Sequence, residues 1–100
     1  MNVVARHAMI DFWGKYPKSK AWLQHWLNVT EATDWKSTQS IVGTFSNAKG
    51  LNSERVRFKS PGGDYCMIVA FDFRRQIAFI RFIGTREQHA RVDVKTVGLF

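Results

Sequence analysis

The chain has 100 residues, with 15 Lys and Arg against 8 Asp and Glu, giving a net charge of +7 and a pI near 10.1. That length suits one domain, taken as residues 1–100. A composition of 45% hydrophobic and 14% aromatic residues excludes a disordered basic tail. The lone Cys66 excludes an internal disulfide and a cysteine-based zinc knuckle, and a reducing, cytoplasmic setting is expected. Residues 1–17 lack the continuous apolar stretch of a secretory signal. The longest apolar run, Cys66 to Phe71, falls far short of the ~20 residues a membrane-spanning helix needs.

In chain order, Val3 to Ala5 reads as a short strand and Ala8 to Tyr16 as a helix. Met9, Ile10, Phe12, Trp13 and Tyr16 form the apolar side of that helix. Pro17 suits the first turn of a second helix, in which Trp22, Leu23, Trp26, Leu27 and Thr30 recur at three- and four-residue spacing. The stripe assigns this Trp pair to the core rather than to base stacking. Ser37 or Thr38 caps a short third helix carrying Ile41, Val42 and Phe45, and Gly50 is placed in the following loop.

From there the period changes to two. Arg55, Arg57 and Lys59 alternate with Val56 and Phe58, which predicts a strand with one basic and one apolar face. Pro61-Gly62-Gly63 marks a turn. Tyr65 to Phe73 is apolar on both faces in its middle, as a central strand is. Arg74-Arg75 is the expected hairpin tip, and Ile77 to Ile83 the last long strand, ended by Gly84. Arg86 to Arg91 is left for a helical turn. Helices first and an antiparallel meander second define an α+β fold: N-terminal helices packed on a twisted antiparallel sheet.

Between Arg55 and Arg91, eight basic residues stand against three acidic ones, and seven of the eight are arginine. Arginine's planar fork grips phosphate bidentately and stacks on bases, so this region reads as a polyanion-binding surface. A solvated sheet face is the plainer alternative. Arg55, Arg57 and Lys59 sit one hairpin away from a second group, Arg81, Arg86, His89 and Arg91. Flanking strands bring both groups to the border of one surface. RNA cleavage at a ribose 2′-OH needs a proton acceptor, a proton donor and cations for the phosphorane. His89 is the histidine of the basic region, and its ordinary pKa suits proton transfer. His7, His25 and His89 lack metal-ligand spacing and no carboxylate cluster joins them, so neither a metal nor a cofactor is expected. Cys66 lies in mid-strand within an apolar run, a poor setting for a nucleophile.

The stretches Asp34-Trp35-Lys36-Ser37, Arg55-Val56-Arg57-Phe58, Gly63-Asp64-Tyr65 and Ile80-Arg81-Phe82-Ile83-Gly84-Thr85, with the early pair Phe12-Trp13, carry a family resemblance. In their order and spacing the chain resembles the HigB-type toxins of bacterial type II toxin–antitoxin modules, within the RelE/ParE-like superfamily. The resemblance implies helices on one face of a twisted antiparallel sheet. It also implies messenger RNA cleavage, often on the translating ribosome, and neutralisation by a HigA-like helix-turn-helix antitoxin. Arg55, Arg57 and Lys59 fall where such RNases hold the scissile phosphate, and Arg81 matches the family's Ile-Arg motif. After Gly84-Thr85 the family usually has a histidine, then a tyrosine three positions on and an aspartate. Here those places hold Arg86, His89 and Ala90. RelE-type relatives use an arginine at the place of Arg86 for transition-state charge, and His89 would replace the tyrosine in proton transfer. The arginine that commonly follows the central-strand tyrosine is replaced by Cys66.

The implied catalytic set is therefore Arg81, Arg86 and His89, with Arg55, Arg57, Lys59, Arg74, Arg75 and Arg91 on phosphate. Two other readings stay open at this point. One is a non-enzymatic toxin of ParE type acting on DNA gyrase. The other is a non-catalytic module that binds RNA or the ribosome.

Overall fold

The computed structural model describes residues 1–98. Among these residues five strands form one sheet in the order β1-β5-β4-β3-β2, where β1 is Asn2–Val4, β2 Ala48–Gly50, β3 Arg55–Lys59, β4 Tyr65–Asp72 and β5 Ile77–Thr85. The helices are α1 (Arg6–Lys15), α2 (Lys20–Glu31), α3 (Thr38–Thr44) and α4 (Arg86–His89). The fold is α+β, as the order of elements predicted. The sheet is mixed rather than antiparallel, because β1 pairs parallel to β5. A strand preceding the helices returns to the sheet edge in that direction, which the meander pattern of the later strands does not reveal.

The apolar periodicities resolve into one core. Met9 and Phe12 of α1, Leu23, Trp26 and Leu27 of α2, and Ile41 of α3 pack on Val56, Phe58, Met67, Val69, Phe71 and Ala78 of the sheet. Trp26 stands edge-on to Phe58 at 5.5 Å, so it is a core residue, as its stripe required. Trp22 is only half-buried, with one side left on two surface clefts. Ile10 departs from the expectation too, at 47% exposure. It sits one residue on from buried Met9, about 100° around the helix, and so points away from the sheet.

Pro17–Ser19 forms a single 3-10 turn ahead of α2, with Pro at its first position. Ser37 caps α3, its hydroxyl accepting from the Ser40 N–H at 3.3 Å. Gly50 is not in a loop. It closes β2, an edge strand of three residues that pairs antiparallel with β3. The β4–β5 hairpin turns through Phe73–Gln76 without glycine, because Gln76 itself takes φ 59°. Its side-chain amide donates to the carbonyls of Trp35 (2.7 Å) and Phe73 (2.8 Å), two hydrogen bonds that offset the strained backbone.

Strand β5 contains a bulge at Arg81. Val69 pairs with Ile80 and Ile68 with Phe82, leaving Arg81 as the extra residue. The side-chain alternation shifts there, so Ile80 and Ile83, three apart, both face the core. Gly84 does not end the strand, which runs on to Thr85.

On the sheet face turned away from α1, α2 and α3, Cys66 and Ile68 are buried outside the main core. The chain after β5 returns across this outer face. Arg55 Nη1 donates to the carbonyls of Val94 (3.1 Å) and Val97 (2.8 Å), and Arg81 Nη1 to that of Gly98 (3.3 Å). Gly98 has φ +80°, and a Cβ there would lie 2.8 Å from the Arg81 carbonyl oxygen. Gly98→Ala is thus expected to cost about 1–3 kcal/mol, seen as a lower urea midpoint with an unchanged slope.

Candidate functional site

Antiparallel register fixes which outer-face side chains are neighbours. Lys49 of β2 pairs with Arg57 of β3, Arg57 with Ile68 of β4, and Ile68 with Phe82 of β5. The next row runs from Lys59 through Cys66 to Gly84. Three cations therefore converge at one end of the sheet. Lys49 and Arg57 stand directly opposite one another, an arrangement of like charges that is unfavourable by itself. Arg57 Nε is buried with no partner among the described residues.

The turn into α4 brings His89 over this cationic corner. Thr85 and Gln88 form a capping box: Thr85 N donates to Gln88 Oε1 (2.9 Å) and Gln88 N to Thr85 Oγ1 (3.3 Å). Gly84 permits it, since a Cβ there would lie 2.6 Å from Gln88 Oε1 and 2.7 Å from Phe82 Cζ. The helix thus starts directly off the strand and folds back, setting the His89 ring 6.2 Å from that of Phe82.

His89 Nε2 is buried and unpartnered among the described residues. Burial first, and then the charges of Arg57 and Lys59, hold its pKa below the ordinary 6.5. At neutral pH the ring is therefore neutral and can accept a proton beside two cations. Burial pushes the Cys66 thiol up to about 11 although Arg57 and Lys59 pull the other way. At neutral pH it is a protonated thiol, unsuited to nucleophilic work.

The other basic residues singled out from the sequence are dispersed. Arg55 is 4% exposed, and Arg81 packs over the Phe79 ring at 5.0 Å; the closing segment engages both. Burial and the charge of Arg81 lower the pKa of Arg55. Arg74 and Arg75 lie in the hairpin turn at the other end of β4, about 20 Å along the strand from Cys66. Arg75 sits 3.8 Å from Asp72. Arg86 opens α4, exposed, 3.9 Å from Asp64. It is three residues before His89, on the same helical side. Arg91 follows α4 and is exposed.

Lys49 is not legible in the sequence, because a three-residue strand ending in glycine carries no alternation to detect. Its one signal was a lone lysine a short turn before a basic strand. Among the described residues no group of three or more His, Cys, Asp and Glu gathers as a metal site, and no helix is long and apolar enough to cross a membrane.

Helices α1 to α3 on one face of a five-stranded mixed sheet, with cations gathered on the other, are consistent with a RelE-like fold. The family of HigB toxins, described as the RelE-like toxic component of a toxin–antitoxin system, matches residues 19–92, and the chain belongs to that family. It is accordingly the toxin of such a system, and its partner is an antitoxin. No curated protein matches the chain.

Proposed function

We propose that this toxin is a metal-independent endoribonuclease that cleaves messenger RNA on the ribosome and so halts translation. The observation that carries the reading is a histidine whose buried Nε2 has no partner among the described residues, in the field of Arg57 and Lys59. His89 takes the proton of a ribose 2′-OH. The 2′-oxygen bonds to the adjacent phosphorus, and the bond from phosphorus to the 5′-oxygen breaks. The 5′-oxygen leaves as a hydroxyl on gaining a proton from solvent, and a 2′,3′-cyclic phosphate remains. Arg57 and Lys59 grip the phosphate, whose anion also relieves the opposed charges of Lys49 and Arg57. Arg86, exposed at the rim, supplies further positive charge to the transition state.

The proposed site omits Arg55 and Arg81, each of which spends its Nη1 on carbonyls of the closing segment. Arg74 and Arg75 are too distant to act on the same phosphate, and Arg91 is left as a peripheral contact. The antitoxin of the proposal is HigA-like, with a helix-turn-helix domain and an acidic patch that competes with RNA for the cationic corner. Such a toxin works in the cytoplasm.

Purified protein incubated with ribosomes and a defined message tests the proposal by mapping of new 5′ ends. Specific cuts that vanish on joint substitution of Arg86 and His89 support it. Absence of cuts together with inhibited DNA supercoiling would replace it with gyrase poisoning. Salt-sensitive binding without cuts would leave an RNA- or ribosome-binding module. Lys49→Ala is expected to weaken RNA binding for all sequences alike and to reduce the slope of log K against log salt by about 0.7. Arg74→Ala, at the far end of the sheet, is expected to leave that slope unchanged.

A further inference from the structure

We propose that the groove beside Lys59 is a nucleobase pocket, in which the side-chain amide of Asn47 reads one base of single-stranded RNA. This deepens the proposed RNA function and rests on it for the identity of the ligand.

Two clefts meet at this end of the sheet. One, of about 340 Å³, is bordered by Asn47, Arg57, Lys59, Gly62 and Gly63. The other, of about 200 Å³, is bordered by Trp22, His25, Phe45, Asn47 and Lys59. They share Ser46, Asn47 and Lys59, so they adjoin at the end of β3 as the two halves of a groove. Its two halves differ in chemistry. The first presents guanidinium and ammonium groups, suited to phosphate, and the second presents aromatic rings, suited to a base.

Bare backbone forms part of the wall. Gly62 and Gly63 have φ +85° and +79°, and a Cβ at either would meet nothing within 4 Å. Glycine there answers to backbone conformation, and the space above it is open for a ligand to approach. Asn47 has a fixed backbone and a free side chain. Its carbonyl accepts from the Lys59 N–H at 3.2 Å, which ties it to the strand carrying the phosphate ligands. Its exposed amide has no intramolecular partner among the described residues and offers two donors and an acceptor. A base edge presents an adjacent donor and acceptor, which an amide matches with two hydrogen bonds. Asn47 is thus a specificity-determining residue, separate from the groups that act on the bond.

The test uses 2′-O-methyl trinucleotides, whose blocked 2′-oxygen prevents cleavage, with the base varied at each position. Binding is measured by titration calorimetry. Wild-type protein is expected to favour one base at one position by about fivefold or more, the discrimination of a bidentate pair. Asn47→Ala is expected to bring all four bases within twofold while keeping the wild-type melting temperature. Asn47→Asp, with acceptors only, is expected to change which base is preferred. Lys59→Ala is expected to weaken every trinucleotide by a similar factor. Equal binding of the four bases by the wild type, or unchanged preference in Asn47→Ala, overturns the pocket and leaves the RNA proposal standing. Failure of every trinucleotide to bind overturns the pocket alone where cuts are mapped on ribosomes, and both proposals where none are. Base-selective binding by a protein that makes no cuts upholds the pocket and removes the catalytic claim.

Discussion

Replacing His89 with alanine is expected to lower the rate of RNA cleavage by roughly 10²–10⁴-fold, the usual contribution of a positioned proton acceptor. Affinity for RNA should change little, because phosphate is gripped by Arg57 and Lys59 and not by the imidazole. Single-turnover cleavage and equilibrium binding, measured side by side, separate the two effects. The pH profile carries a second signature. A base must be neutral to act, and the His89 pKa lies below 6.5 because its ring is buried and faces two cations. In the free enzyme, kcat/KM should therefore be level at neutral pH and fall as pH drops through that lowered value. Lys59→Met removes one of the two cations, so the His89 pKa rises and the acid limb moves to higher pH. Its amplitude falls as well, through the lost phosphate contact. Unchanged cleavage in His89→Ala, or an acid limb that ignores Lys59→Met, would remove His89 from the reaction.

That corner of the sheet was only partly legible in the sequence. The alternation Arg55-Val56-Arg57-Phe58-Lys59 placed three cations on one strand face, and all three residues do share it. Alternation is a local rule, however, and the fate of each cation is decided by distant chain. Arg57 and Lys59 meet His89, brought back by a capping box that Gly84 makes possible. Arg55 meets carbonyls 39 and 42 residues further on. Nothing in the strand distinguishes the two situations. The same holds for Arg81, which a regular strand would have aligned with Ile83. One extra residue at the bulge separates them, turning Arg81 to the outer face and Ile83 to the core. Elements with strong periodicity, such as α2 and β4, lay close to where the pattern set them. The three-residue edge strand β2 had no pattern to show, and Lys49 was lost with it.

Removing the Arg55 guanidinium is expected to destabilise the fold by about 2–4 kcal/mol, since hydrogen bonds to a charged donor contribute roughly 1.5–3 kcal/mol each. Some of that gain is already offset, because Arg55 is desolvated and lies near the like charge of Arg81. In a chain of this size, about 2–4 kcal/mol lowers the melting temperature by roughly 10 °C or more. Arg55→Met keeps the apolar stem and should recover part of the loss relative to Arg55→Ala. Arg55→Lys should recover more, because both carbonyls accept from the one nitrogen Nη1 and an ammonium carries three donors. The damage should begin in the closing segment. The amides of Thr96 and Val97, which donate to the Asp93 carbonyl at 3.2 and 2.9 Å, should exchange with solvent faster than those of β4. Thermal melts followed by hydrogen exchange would show both effects. A phosphate ligand would behave in the opposite way, with RNA affinity lost and melting temperature kept. That outcome would return Arg55 to the RNA surface and leave the closing segment without its anchor.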